Sequence, residues 1–306
     1  AKAAGNVHNL TLADLGIENV ENKSSADIRG ELTKEDIIKA LGYEPSGGNG
    51  GDGTGGGEPS NPNVTLKTFD QATDEEIIQM VKAADAGLID LAEDCGWEVG
   101  QEHVITLPAI AASGSYDGQT WSVNEKHLEQ EVTLVLMDAG ANQTFDLVAP
   151  VKDKNGLDRT KPSFIVGLKN CLNAGGCMNL TNTNSGSWEG SARREWCNGG
   201  FRQAMELVLP NIFKQFKCIT TAKTSDKITN QISNDFFSLF AEKEILGKRT
   251  YSNTTEYNAL KQIAYYTDIN HCKKTMSNNG SAGAWWSRSP VDNYQLHFIF
   301  VRVEGT

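Results

Sequence analysis

The 306-residue chain lacks a long apolar run and an excess of basic residues. No stretch approaches the roughly 18 apolar residues of a membrane-spanning helix. The amino-terminal stretch AKAAGNVHNL has no apolar signal-peptide core, so secretion by that route is not expected. The formal net charge of −11 argues against binding to nucleic-acid phosphates, which needs an excess of lysine and arginine. We therefore expect neither membrane insertion nor a nucleic-acid partner.

Recognisable catalytic motifs are also missing. The chain has no GxSxG nucleophile elbow, no HExxH helix and no Walker-type phosphate loop. Its six cysteines form no CxxC pair, and the adjacent His271 and Cys272 would face opposite ways on a strand. A glycosidase-type carboxylate pair stays open among 39 acidic residues, but no spacing singles one out. The prediction is a protein without catalytic residues, metal or cofactor, with reduced cysteine thiols.

A glycine-rich stretch predicts the domain organisation. Residues 46–63 read SGGNGGDGTGGGEPSNPN and contain no large apolar side chain, which indicates a flexible linker. Residues 1–45 before it contain one convincing helix, with Thr33 as N-cap and an apolar stripe of Ile37, Ile38 and Leu41. One short helix cannot fold alone in water. We therefore expect a docking or oligomerisation segment, and a frayed tail is the alternative.

Residues 64–306 carry both helix and strand patterns. Thr73 and Glu76 form a capping-box pattern before the helical stripe of Ile77, Met80, Val81 and Ala84. Helical patterns return in SARREWCNGGFRQAMELVL, NDFFSLFAEKEIL and EYNALKQIAYY. Strand patterns fall in HVITLPAIAASG, TWSVNEK, QEVTLVLMDAG, FIVGLKN, AWWSRS and QLHFIFVRV. The predicted fold class is α+β, with helices inserted between strands.

The segment 178–202 is rich in asparagine and threonine around Trp188. Small polar side chains of this kind bond to the backbone of an irregular loop, and tryptophan and arginine then anchor the loop to the core. We interpret the segment as loop architecture with Trp188 in a structural role. A contact surface is the open alternative.

Several long motifs resemble a family of uncharacterised domains in bacteriophage tail and fibre-tip proteins. They are TNTNSGSWEGSARREWCNGGFR, IFKQFKCIT, SNDFFSLFAEKEILG and WWSRSP, with ATDEEI, GWEVGQE, AIAASGSYDG and EVTLVLMD before them. The stretch NVENKSSADIRGELTKEDIIKALGYEP resembles repeated segments of phage baseplate and fibre proteins. The family is similar to C-type-lectin-fold domains, and some of its relatives are thought to be diversified at their last strands by retroelements that mutate adenines.

This resemblance implies a virion receptor-binding protein with a C-type-lectin-like domain over residues 64–306. Its partners would be a bacterial surface protein or glycan and, through residues 1–45, other phage tail proteins; self-association is left open. The W-W-x-R-S-P motif implies structural roles for Trp285, Trp286 and Arg288. The implied ligand-binding residues are variable and face outward. They are Val291, Asp292, Asn293, Tyr294, Gln295, Leu296, His297, Phe300 and Arg302.

The chain departs from the family in ending at Thr306, before a final strand, which predicts a truncated or shorter domain. The calcium-type sugar motifs of animal lectins are absent, so calcium-dependent sugar binding is not implied. Two alternatives stay open. One is a structural virion or bacterial surface protein that binds no ligand. The other is an oxidase of the formylglycine-generating type, whose metal-binding cysteine pair has no convincing match here.

Overall fold

The computed structural model describes residues 64–139, 145–223, 228–276, 280–292, 297–302 and 304. The predicted docking segment 1–45 and linker 46–63 lie outside the described residues and stay predictions. So do the predicted site residues Asn293, Tyr294, Gln295 and Leu296.

Helices and strands are mixed along the described chain, which confirms the α+β prediction at that level. The α-helices are α1 (Asp74–Asp85), α2 (Ala192–Trp196), α3 (Arg202–Val208), α4 (Glu242–Leu246) and α5 (Thr254–Ala259). The strands are β1 (Glu102–Leu107), β2 (Ser113–Tyr116), β3 (Gln119–Ser122), β4 (Gln130–Ala139), β5 (Asp146–Leu147), β6 (Val151–Lys152), β7 (Asp158–Arg159), β8 (Phe164–Leu168), β9 (Phe216–Lys223), β10 (Ile228–Asp235), β11 (Lys274–Thr275), β12 (Ala282–Gly283), β13 (Trp285–Pro290) and β14 (Phe298–Val301). None of the described helices combines the length and apolarity needed to cross a membrane.

Helix α1 begins where its capping box predicts. The Thr73 hydroxyl accepts a hydrogen bond from the Glu76 amide at 3.3 Å, and the Glu76 carboxylate accepts one from the Thr73 amide at 2.9 Å. Ile77, Met80 and Ala84 are buried on one face, as their helical spacing predicts. This face anchors the helix to the main apolar cluster.

The main sheet places β4 between β1 and β8, with both neighbours antiparallel. Ile105 pairs with Val132 in one ladder, and Val135 pairs with Gly167 in the other. Residues Leu134 to Met137 are all buried because both faces of the central strand are covered. One face contributes to the main apolar cluster, and Val135 and Met137 contribute to a second, smaller one.

Helices α2 and α3 are joined by a π-helical turn, Cys197–Phe201. The indole of Trp121 packs directly on this turn: a Cβ on Gly199 would lie 2.5 Å from Trp121 Cε3. Glycine at this position leaves room for the indole. The helical backbone continues through the Asn-Gly-Gly sequence as a π-helical turn, although glycine generally disfavours the interior of a helix. The helical prediction for this segment is confirmed.

A second sheet has the strand order β10–β9–β5, and β13 and β14 form the terminal pair. The helical prediction for NDFFSLFAEKEIL is wrong except at α4, because Asn234 and Asp235 finish β10 and Phe236–Phe240 form a loop. The Asn198 side chain explains the difference. Its Oδ1 accepts from the amides of Phe236 at 2.7 Å and Phe237 at 3.3 Å, so this backbone is satisfied without a helix.

Candidate ligand-binding surface

The terminal hairpin β13–β14 is fixed by its two tryptophans. Both are half-buried, and each indole N–H donates to a backbone carbonyl: Trp285 to Cys272 at 3.0 Å and Trp286 to Gly176 at 2.6 Å. The two rings lie on opposite faces of the strand. The hairpin is therefore attached to a different part of the domain on each face.

Arg288, between these tryptophans and the end of β13, has no exposed surface. Its guanidinium makes a bidentate ion pair with Glu244, with both N–O distances 2.6 Å. It also donates to the carbonyls of Leu239 at 2.7 Å and Ile219 at 3.3 Å. The sequence resemblance implied a structural role for Arg288, whereas its carboxylate partner was not anticipated.

Two further buried carboxylates lie near Arg288. Glu256 accepts from the Thr221 amide at 3.0 Å and from the hydroxyl of Ser289. Burial raises the pKa of Glu256 above its ordinary value, although hydrogen bonds and Arg288 oppose the change. Glu242 accepts from the amides of Tyr251 and Ser252, both at 2.9 Å. We call Glu242, Glu244, Glu256, Arg288 and Ser289 the buried polar cluster.

The part of the predicted loop segment 178–202 around Trp188 is a loop held by polar side chains, whereas its residues from Ala192 onward are helical. Trp188 is fully buried, and its indole N–H donates to Asp235 at 2.8 Å. Asp235 also pairs with Arg194 at 2.6 Å. The Asn179 side chain donates to the Thr183 carbonyl at 2.7 Å and accepts from the amide at the start of α2. These contacts close the loop on itself and join it to the core.

Three loops meet at the end of the terminal hairpin. The Asn184 side chain donates to the His297 carbonyl at 3.0 Å, which joins the 180s loop to β14. The Asp292 amide donates to the Tyr251 carbonyl at 2.8 Å. The Asn253 side chain donates to the Asp292 carboxylate at 3.2 Å. Residues 180–186, 249–253, 291–292 and 297 are thus adjacent, and we call them the loop surface.

The described predicted site residues fall into two groups. His297, Phe300 and Arg302 are exposed, whereas Val291 and Asp292 are half-buried in contacts that hold the hairpin end. Phe300, 48% exposed, lies edge-on to Trp286 with ring centroids 5.7 Å apart. His297 lies at the hairpin end, whereas Phe300 and Arg302 follow along β14 toward its other end.

Sequence reasoning missed the contribution of the 249–253 loop. Tyr251 is 60% exposed and its backbone is fixed on both sides, by Glu242 and by Asp292. The sequence contained a signal, because Gly247 followed by the polar stretch KRTYSN is typical of a helix end and a loop. In the structure Gly247 adopts the left-handed conformation that ends α4. Exposed aromatics on fixed loops are typical of binding surfaces.

None of the six cysteines belongs to the loop surface. All six cysteines are free, and burial raises the pKa of Cys95 and Cys272 to about 11. Within the described residues, no group of three or more His, Cys, Asp or Glu side chains is arranged to hold a metal ion. The chemistry present at the loop surface is that of hydrogen bonding and aromatic contact.

Comparison with known proteins gives one partial match. Residues 168–306 match a family model described as a domain of unknown function, DUF6273. No curated protein and no solved structure matches the chain. The matched residues begin at the end of β8 and include all three loops and the terminal hairpin.

Proposed function

We propose that this chain is a receptor-binding protein of a bacteriophage tail fibre or baseplate. In this proposal a C-type-lectin-like domain binds a bacterial surface protein or glycan at the loop surface, and no catalysis is involved. The resemblance of the WWSRSP and TNTNSGSWEGS motifs to phage fibre-tip domains supports the biological setting. A virion location and docking to other tail proteins through residues 1–45 rest on the same resemblance.

The observation that carries the binding site is the joining of three loops distant in sequence. The Asn184 side chain donates to the His297 carbonyl, and the Asp292 amide donates to the Tyr251 carbonyl, so the backbone is fixed at these positions. Fixed backbones lower the entropy lost when a ligand orders the surface. Exposed Tyr251, His297 and Phe300 then supply contacts that suit either a glycan face or a protein.

The proposed C-type-lectin-like fold is supported by the antiparallel terminal pair β13–β14 and by the long irregular loops that precede it. The ligand would be held by side chains that are free to differ between related proteins, such as His297 and Arg302. The indole and guanidinium groups that fasten the hairpin would stay constant.

A binding assay with the full chain tests this proposal. Labelled protein is applied to a panel of intact bacterial strains and to an array of cell-wall glycans. Tyr251→Ala and His297→Ala should each weaken binding by roughly tenfold or more if these side chains are interface anchors. Leu157→Ala, at a 64% exposed position between β6 and β7, is the matched control and should bind like the parent.

The structural alternative makes the opposite prediction. If the folded parent adheres to no strain or glycan, or if both loop variants adhere as well as the parent, the receptor-binding proposal is wrong. A virion or surface protein that binds no ligand would then be the better interpretation.

A further inference from the structure

A cavity of about 470 Å³, partly open to solvent, is lined by residues of both apolar clusters. Its walls carry half-buried aromatic side chains, among them Phe164, Phe213, Phe216, Phe237, Trp285 and Trp286. The volume lies within the range of roughly 300–1,000 Å³ that is typical of small-molecule sites. Cavity walls without a neighbour lose dispersion contacts, and an apolar occupant would restore them.

One wall of the cavity contains a buried cation without a carboxylate partner. Lys274 is 6% exposed, and its ammonium donates to the carbonyls of Lys169 at 3.0 Å and of Leu168. It lies 5.1 Å from the ring centroid of Trp285. No carboxylate of the described residues forms an ion pair with it. Burial removes water from the ammonium, and no anion in the described part of the chain offsets the cost of this desolvation.

The other cations that line the cavity differ from Lys274. Lys214 pairs with Asp85 at 2.7 Å, and Arg193 pairs with Glu125 at 2.5 Å. Arg159 donates to the Ser163 hydroxyl and is partly exposed. Lys274 is therefore the lining cation that combines deep burial with the lack of an anionic partner.

We propose that this cavity binds a small amphipathic carboxylic acid, with its apolar body between the aromatic walls and its carboxylate at the Lys274 ammonium. The site is separate from the loop surface and does not depend on receptor binding. Charge complementarity selects the anion, and the aromatic walls select an apolar chain or ring.

The protonation of Lys274 gives the proposal a second readout. Burial lowers the pKa of this ammonium to about 8, and the groups that face it are the thiols of Cys171 and Cys272 and the rings of Tyr266 and Trp285. The cation is lost as the pH rises through the lowered pKa. Affinity for a carboxylate should therefore fall over that interval, whereas affinity for a neutral alcohol should not.

The test is calorimetric titration of the full chain with decanoate and with decanol at pH 7 and above. Lys274→Met should weaken decanoate binding by roughly tenfold or more and leave decanol binding within about twofold. Lys273→Met removes the neighbouring exposed lysine and should change neither affinity. Leu172→Trp adds bulk to the cavity wall and should weaken both ligands.

Three results would overturn the proposal. The first is a folded parent that does not bind decanoate at about 1 mM. The second is equal decanoate affinity in the parent and Lys274→Met. The third is a decanoate affinity of the parent that stays constant from pH 7 to about 9.5, which contradicts a role for the ammonium. This third result decides the question even if Lys274→Met does not fold.

Discussion

The apolar cluster under α1 and the buried polar cluster under the terminal hairpin are equally hidden from solvent but are stabilised differently. Ile77, Met80 and Leu136 are at most 1% exposed and interact through dispersion contacts. Arg288 and Glu244 have no exposed surface and interact through directed hydrogen bonds. Dispersion depends on volume, whereas ion pairing depends on the position of single atoms.

The comparison indicates a division between stability and positioning. An apolar cluster tolerates exchange of one side chain for another of similar size. A buried ion pair contributes little net stability, because desolvation offsets much of the attraction, yet removal of one partner leaves an uncompensated charge. We infer that the polar cluster fixes the position of the terminal hairpin, and the following predictions test this contrast.

The largest effect is expected at the ion pair. Arg288→Met should lower the free energy of unfolding by about 3–5 kcal/mol, because Glu244 would stay buried without its cation. Urea-induced unfolding monitored by tryptophan fluorescence measures the loss. The double variant Arg288→Met, Glu244→Leu is the control and should lose less than the single variant. A double variant that is the less stable of the two would contradict the uncompensated-charge explanation.

A conservative exchange in the apolar cluster should cost less. Met80→Leu keeps the volume and removes no polar contact, so a loss below about 1.5 kcal/mol is expected in the same unfolding assay. Met80→Ala is the matched comparison, since it leaves a cavity and should cost about 2–5 kcal/mol. If Met80→Leu destabilises the chain as much as Arg288→Met, the contrast between the two clusters fails.

A pH-dependent effect is expected at Glu256. Burial raises the pKa of Glu256 in the folded chain above its ordinary value of 4.5. At a pH between the ordinary pKa and the raised pKa, the folded chain therefore binds more protons than the unfolded chain. Stability from this group therefore falls as the pH rises through that interval, by at most about 1.4 kcal/mol per pH unit. Glu256→Gln should remove this fall. If the free energy of unfolding of the parent, minus that of Glu256→Gln, grows as the pH rises, the pKa of Glu256 is lowered in the folded chain and the prediction is wrong.

The smallest effect on stability is expected at the loop surface. Tyr251→Ala should change the free energy of unfolding by less than roughly 0.5 kcal/mol, because the side chain is exposed and the backbone bonds to Glu242 and Asp292 stay. Thermal unfolding of the parent and variant measures the change. A loss above about 1 kcal/mol would show that the ring packs on the fold, and its proposed binding role would need revision.

Local patterns in the sequence predicted the elements that their own residue types and caps indicate. The capping box of Thr73 and Glu76 predicted α1, and a segment rich in Val, Leu and Thr predicted β4. The β9–β10 hairpin was missed because several buried positions on it are polar or small, including Cys218, Thr220 and Ser233. Its hydrophobic alternation is weak since part of it packs on polar groups.

Long-range contacts also explain what was missed at the candidate site. A structural role was expected for Arg288 from a resemblance and for Trp188 from its polar loop, but their partners Glu244 and Asp235 could not be anticipated, because 44 and 47 residues separate them. The 249–253 loop is held in place by Glu242 and Asp292, which both lie outside this loop in the sequence. No local periodicity encodes contacts of that kind.

The backbone attachments of the loop surface have a practical consequence for protein engineering. The amides of Tyr251, Ser252 and Asp292 and the carbonyl of His297 hold the loops in place, and every residue type except proline supplies both groups. Side chains at positions 251 and 297 can therefore be randomised in a library without removing these attachments. The domain is in this sense a scaffold on which new binding specificities could be selected.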